Sequence, residues 1–282
     1  MSRPGALTVS AFKWVPPFAQ GQVRDLRVRW MLREVGWDYA VDLIDPQVQQ
    51  SAEYRQVQPF GQVPALREEG RPTLFESGAI VLDIAQRSER YLGQGADERA
   101  VVRSWFFAAL NSLEPYLMEI AIADFFMEDK EMAGKYRAFA EPLAAKQIEA
   151  LANALGSREW LVGDDFTIAD LMMASVMKIV GHTDMLDGHP DLVTWRDRCL
   201  ARPAYCEALA EQCANFAGHG PGDMGFPSDM GQSQGEEWCT STVSCSPCPK
   251  ATRRPIGKRP RNSGTSSRIS AQPLRLSAGR PT

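Results

Sequence analysis

Along residues 1–90 the apolar positions fall in short blocks whose spacing switches between strand-like and helix-like. Leu7 to Phe12 is a brief apolar run that suits a strand. From Val23 to Val35, the residues Val23, Leu26, Trp30 and Leu32 recur at helical spacing, which assigns Arg24, Arg27, Arg29 and Arg33 to the solvent side. Gly36 suits the left-handed position that closes a helix. Tyr39 to Ile44 reads as a second strand, and the polar stretch Gln47 to Gln58 ends in the turn signal Pro59-Phe60-Gly61. Val63 to Leu66 and Thr73 to Phe75 flank Glu68-Glu69-Gly70-Arg71 like the arms of an antiparallel hairpin. Ser77 then serves as the cap of a helix over about Gly78 to Arg87.

After Tyr91-Leu92-Gly93-Gln94-Gly95 the spacing is helical throughout. Asp97 to Phe126 predicts one long helix that Pro115 kinks or resets, and Glu131 to Leu155 a second that Pro142 interrupts. Thr167 to Val180 predicts a third, opened by a capping box of Thr167 and Asp170 with Phe166 and Leu171 as its hydrophobic staple. A last pair within Pro190 to Ala214 breaks at Arg202-Pro203. From Phe216 onward Gly, Pro, Ser and Arg dominate, and residues 216–282 are expected to form a disordered tail. The order β-α-β-α-β-β-α in the first part is similar to a thioredoxin-like domain. The expected fold is therefore an α/β thioredoxin-like N-terminal domain (1–90) followed by an all-α domain (96–215).

Composition narrows the classes. An apolar fraction of 44% and a charged fraction of 23% are ordinary for a globular chain. No apolar run approaches the roughly 18 residues that span a bilayer, and Leu7 to Phe12 is too short for a secretory core, so a cytoplasmic, non-membrane protein is expected. Residues 1–215 carry a net −9 and residues 216–282 a net +5, and an acidic body argues against a nucleic-acid partner. All six cysteines lie at or beyond Cys199, so no cysteine in the first domain can act as nucleophile or redox centre. Cys239, Cys245 and Cys248 offer only three thiols with no nearby histidine, short of a structural zinc set, and no metal is expected. The basic cluster from Arg253 to Arg261 reads as solvated tail, and His182 and His189 flank a loop without an evident acid partner.

The chemistry concentrates in Gln58-Pro59-Phe60-Gly61-Gln62-Val63-Pro64-Ala65-Leu66 and in Glu76-Ser77-Gly78-Ala79-Ile80. Taken singly, the first is readable as a plain turn and Ser77 as a plain cap. Together they resemble the glutathione-binding core of the glutathione transferase family, in its bacterial-type cytosolic form. Trp160 to Asp170, and Trp195 with Arg202-Pro203-Ala204-Tyr205, are similar to that family's helical-domain motifs, so the resemblance runs over roughly 7–215. It implies a cis Val63-Pro64 bond that turns the Val63 backbone toward glutathione's cysteinyl segment as an added strand. It also implies that Ser77 holds the γ-glutamyl carboxylate at a helix start, that Glu76 meets the amino group, and that Gln62 reaches the glycyl end. Glutathione is thus the expected co-substrate, a small hydrophobic electrophile its expected partner, and a homodimer the expected assembly.

What activates the thiol is less plain. Lowering a thiol pKa by two units takes roughly 2.7 kcal/mol of thiolate stabilisation. The family supplies it with a Tyr, Ser or Cys in the loop after the first strand. That loop here, Lys13 to Gln22, holds no Tyr, Ser, Thr or Cys, and the Tyr-type and Ser-type positions fall near Phe18 and Gln22. The candidates left are Gln22, Arg24 and the helix N-terminus, with Trp14 or Phe18 as a pocket wall. Trp105, Phe106, Leu110, Leu113 and Tyr116 are candidates to line an electrophile pocket between the domains, or else simple core. Conjugation is the leading expectation, a non-catalytic glutathione-fold binder the alternative, and a glutathione-dependent reductase or peroxidase a distant third.

Overall fold

The computed structural model describes residues 4–227, so Cys239, Cys245, Cys248 and the basic cluster from Arg253 lie outside the described residues. Four strands, β1 (Leu7–Phe12), β2 (Ala40–Ile44), β3 (Ala65–Glu68) and β4 (Leu74–Phe75), form one mixed sheet in the order β2-β1-β3-β4. β2 runs parallel to β1, with Thr8 opposite Ala40, whereas β3 and β4 are antiparallel, with Val9 opposite Leu66. Helices α1 (Asp25–Val35) and α4 (Ser77–Ser88) pack on each other, with the short pair α2 (Pro46–Gln50) and α3 (Ala52–Val57) after β2. The expected polar stretch is thus two helices, because Asp45 accepts from Val48 N–H (2.9 Å) and Ser51 from Tyr54 N–H (3.1 Å), and each caps its own start. This is the thioredoxin-like arrangement.

The second half is helical: α5 (Gly95–Ala108), α6 (Glu114–Ala121), α7 (Lys130–Leu155), α8 (Ile168–Met177), α9 (Pro190–Leu200) and α10 (Pro203–Ala217). The expected long helix over Asp97 to Phe126 is divided by π-helical turns at Ala109–Leu113 and Ile122–Phe126. Pro115 sits in the first turn of α6, where its missing N–H has no partner to lose. Pro142, by contrast, does not interrupt its helix; α7 runs through it with the ring on the exposed side. Both halves contribute to one continuous core that includes Val9, Trp30, Ile80, Phe106, Leu117 and Leu171. Among the described residues no helix is long and apolar enough to cross a membrane.

The solvent face predicted for α1 is the main error of pattern. Arg27 is 5% exposed and Arg29 1%. α1 is covered on a second side by α10, and its charges are buried as pairs. Arg29 Nε binds Asp25 Oδ2 at 2.7 Å, and Gln212 of α10 donates to Asp25 Oδ1 at 2.7 Å. Further along, Glu34 accepts from Trp30 (3.0 Å), from Arg202 (2.5 Å) and from Tyr91 of the linker (2.9 Å), which ties α1 to both. The segment expected to begin the tail is instead folded as far as it is described. Pro221–Met224 makes a 3-10 turn, and Phe216 and Met224 bury against Trp14 and Val15.

Two buried groups secure the helical half. Asp170 closes the capping box at α8. Its Oδ2 accepts from Thr167 N–H (3.0 Å) and Thr167 O–H (3.2 Å), and its Oδ1 from Leu161 N–H (2.9 Å) and Trp195 Nε1–H (3.0 Å). Lys178, just after α8, is the second. Its ammonium donates to the Gly21 carbonyl and lies over the Tyr205 ring at 5.0 Å, while Gln22 donates back to the Lys178 carbonyl at 3.4 Å. Burial, and then the charge of Arg27, push the Lys178 ammonium down to about 7.

Replacing Asp170 with Ala strands several buried donors at about 1–3 kcal/mol each. Urea unfolding of Asp170→Ala is expected to show a loss of roughly 3 kcal/mol or more; a loss under about 1 kcal/mol would mean that water replaces the carboxylate. For Lys178 the folded value lies below the unfolded one, so between pH 7 and 10 the unfolded chain holds more protons and stability rises with pH. Measured by urea unfolding at pH 7 and pH 9, wild type should gain about 2 kcal/mol relative to Lys178→Met. Parallel pH curves for the two proteins would refute the shift.

Candidate functional site

The antiparallel register of β1 and β3 brings the loop after β1 and the turn before β3 to the same end of the sheet. Ser10, buried in the second half of β1, accepts from Ala65 N–H at 2.8 Å and shares a hydrogen bond with the Tyr54 hydroxyl at 2.9 Å. Tyr54 in turn donates to the Gln62 carbonyl at 2.7 Å. The buried Gln58 side chain accepts from Phe60 N–H (2.7 Å) and Gln62 N–H (3.2 Å), and Gln49 donates to the Gly61 carbonyl (2.7 Å). Gly61 is required here: its φ is +66°, and an added Cβ would meet the Arg55 guanidinium carbon at 2.9 Å. The turn ends in a cis peptide bond between Val63 and Pro64, with Gln62 exposed and Val63 and Pro64 buried.

At the start of α4, Ser77 is the first helical residue and not the cap; Glu76 occupies the capping position with φ +67°, unusual for a residue with a side chain. The buried Ser77 hydroxyl lies 3.5 Å from Arg27 Nη1. Arg27 is itself clamped on Glu114 of α6, Nη1 to Oε2 and Nη2 to Oε1, each at 3.1 Å. Arg24 reaches the same carboxylate, Nη2 to Oε1 at 2.7 Å. Burial works against the ionised Glu114, but Arg27 and Arg24 outweigh it and hold the carboxyl below its ordinary range. These three groups together sum to one positive charge, and the Glu76 carboxylate at the start of α4 is near enough to act on Arg27.

A cavity of about 330 Å³ opens beside this corner. Gln62, Val63, Phe18, Gln22, Arg24 and Arg27 line it from the first half of the chain. Glu114, Met118, Ala121, Phe125, Ile179 and His182 line it from the second. Phe18 stacks on Phe125 (4.9 Å, 1°) and meets Phe126 edge-on (5.3 Å, 87°), so the rings of the two halves interlock across the cavity wall. His182, expected to lack an acid partner, has one: its Nε2 lies 2.9 Å from Asp124 Oδ2, which also accepts from Arg137.

The residues singled out in the sequence lie in different surroundings. Phe18, Gln22, Arg24, Gln62 and Val63 all face this cavity. The aromatic residues proposed for an electrophile pocket do not line it. Trp14 is buried against Phe216 and Met224. Phe106 is fully buried and packs near Gly78 of α4, where an added Cβ would stand 3.6 Å from its ring. Trp105 and Tyr116 pack on the main core. The cavity residues of the helical half sit further along, and Glu114, Met118, Ala121 and Phe125 share the spacing of a single helix face, a signal the sequence did carry. Among the described residues no cluster of three or more His, Cys, Asp or Glu is arranged to hold a metal ion.

Known proteins supply an independent comparison. Residues 26–87 match the model of the glutathione S-transferase N-terminal domain, and residues 113–203 that of the C-terminal domain. A glutathione S-transferase of Hyoscyamus muticus is 30% identical over 163 residues, covering 54% of this chain and 75% of the relative. A disulfide-bond oxidoreductase of Escherichia coli is 25% identical, covering 65% and 88%. Among solved structures, a glutathione transferase of Phanerochaete chrysosporium with oxidized glutathione superimposes with a TM-score of 0.65 at 23% identity, over 77% of this chain and 99% of the other. Both halves of the fold, in order, and a curated relative matched over three quarters of its length agree: the chain belongs to the glutathione S-transferase family.

Proposed function

We propose that this protein binds glutathione against Gln62-Val63-Pro64 and conjugates its thiol to a small hydrophobic electrophile. The observation that carries the reading is a single cavity that joins three features. It adjoins the cis Val63-Pro64 turn, the net-positive Arg24-Arg27-Glu114 corner by the α4 start, and the apolar wall of Phe18, Met118, Phe125 and Ile179. Glutathione is a peptide with two carboxylates and one ammonium. Its backbone suits the turn, its γ-glutamyl carboxylate suits Ser77 and the free N–H groups opening α4, and Glu76 suits its ammonium.

The loop supplies no hydroxyl to the sulfur, so the thiolate depends on electrostatics. The side-chain amide of Gln22 is already given to the Lys178 carbonyl, and Phe18 is a wall. Arg24, half out in solvent and lining the cavity, remains as the charge that favours a thiolate by proximity. The hydroxyl-free loop also favours a second reading, a binder without turnover. Reduction through a thiol of the first half is disfavoured, since residues 1–198 contain no cysteine, and burial pushes the Cys199 thiol well up and away from the nucleophilic form. The assembly we propose is a homodimer. Phe60, 63% exposed, meets Phe75 edge-on at 6.4 Å, and Phe107, Phe139 and Leu143 are further exposed apolar side chains.

Calorimetry should detect glutathione binding, weakened roughly 10- to 100-fold in Ser77→Ala. Unchanged affinity in that variant would remove the carboxylate site. Ultraviolet titration of the bound thiol should give a midpoint at least about one unit below the free value of about 8.5. An unshifted titration together with no turnover of a chromogenic aryl halide would leave the binder. Sedimentation velocity should show a dimer that Phe60→Ala shifts toward monomer; a monomer at all concentrations would exclude the homodimer.

A further inference from the structure

The segment that carries the loop after β1 into α1 is held from the helical half by a buried lysine. Lys178 opens the 3-10 turn after α8. Its ammonium donates to the Gly21 carbonyl, and the Gln22 side-chain amide donates back to the Lys178 carbonyl at 3.4 Å. One residue on, the buried Gln212 of α10 donates to the Val23 carbonyl at 3.2 Å. Gly21 itself runs close against α10: its φ is +76°, and an added Cβ would stand 3.1 Å from Leu209. The three residues after Gly21, namely Gln22, Val23 and Arg24, all line the cavity. This bracket therefore sets where that stretch of the cavity wall stands.

The donor in this bracket is one that titrates. α1 faces the ammonium with the Arg27 guanidinium, a like charge, and α10 with the Tyr205 ring at 5.0 Å. α6 packs against the same turn and brings two carboxylates. Glu114 is held by Arg27 and Arg24, and Glu119 accepts from Tyr136. His182, one turn further on, meets Asp124. Burial, and then Arg27, push the ammonium down to about 7. Below that pH the bond to Gly21 is charge-assisted. Above it the neutral amine still donates, but a hydrogen bond from an ionised donor is roughly twice as strong. The same loss of a proton relieves the fold of a buried charge, so global stability rises with pH while the hold on the loop weakens.

We propose that Lys178 is a positioning residue for the glutathione site: by holding Gly21 and Gln22 it fixes Gln22, Val23 and Arg24 on the cavity wall. The proposal rests on the glutathione-conjugating reading and adds a regulation to it. The wall is held best when Lys178 carries its proton, and it slackens as pH rises through neutrality. Lys178 acts through the loop backbone and not on glutathione itself. The turn from Gly61 to Pro64 and the start of α4 are built from other residues, so the effect falls on the chemical step more than on the binding of the peptide.

The experiment compares the full chain with Lys178→Met, which nearly keeps the length of the side chain and removes the donor, at pH 6 and pH 8.5. With chlorodinitrobenzene as electrophile, kcat of the variant should be lower about 30-fold at pH 6 and about 5-fold at pH 8.5, the scales of an ionised and a neutral hydrogen bond. Glutathione affinity by calorimetry should change less than about twofold at either pH. Amide hydrogen exchange at pH 6 should be faster in the variant across residues 17–24 and unchanged across α7. Four results overturn the assignment while leaving conjugation standing: an unchanged kcat, an equal loss at both pH values, an affinity that falls with kcat, or exchange that quickens throughout the chain. A wild type without turnover, or without glutathione binding, overturns both this assignment and the conjugating reading.

Discussion

The carboxylate of Glu114 is the constraint on which the rest of the site depends. It enters from the helical half, lies buried at the first turn of α6, and is met by two guanidinium groups from the other half, Arg27 and Arg24. A buried ion pair of this kind adds little net stability, yet removal of one member costs about 3–5 kcal/mol because the other is left charged and dry. The pairing therefore works as a register between the halves. With Glu114 on Arg27, the following face of α6 presents Met118 and Ala121 to the cavity, and Phe125 meets Phe18. If the pairing slipped by a turn, a charge would be stranded and the rings parted together.

The same cluster explains how a loop without a hydroxyl can still serve thiol chemistry. A hydroxyl acts on sulfur through one short, directional hydrogen bond, whereas a surplus positive charge acts over several ångströms and tolerates imperfect placement. Lys178 lies near the same guanidinium: burial first, and then the charge of Arg27, lower its ammonium to about 7. The start of α4 therefore has the Arg27 guanidinium beside it as well as the positive N-terminal end of the helix.

Much of this was legible in the chain. The strand and helix order, the turn at Gly61 to Pro64 and the capping box at Thr167 follow from local patterns, because each is decided by residues within a few positions of one another. What escaped depends on pairing at a distance. Arg27 and Arg29 look like solvent residues until Glu114 and α10 are brought to them. His182 finds Asp124 across 58 positions, and no periodicity links them. Trp105, Phe106 and Tyr116, candidates for the pocket by their place on the first long helix, and Trp14, a candidate wall, had core packing as the alternative reading, and core is where they lie. The smaller residues Met118 and Ala121, set on one helix face with Glu114 and Phe125, were the better guide.

The packing of Trp14 and Val15 against Phe216 and Met224 has a consequence for the way the molecule is built. The loop that leads into α1 leaves β1 near the beginning of the chain, but the apolar anchor at its start comes from the end of the last helix and the turn after it. During synthesis that anchor is the final part of the described structure to emerge. The loop-closure entropy of so distant a contact is recovered only once the intervening helices are docked. A chain halted before α10 contains Phe125 and Lys178, the partners of Phe18 and Gly21, but not the residues that cover Trp14 and Val15 at the start of the loop. The start of the loop beside the cavity is therefore the part of this wall that is completed last.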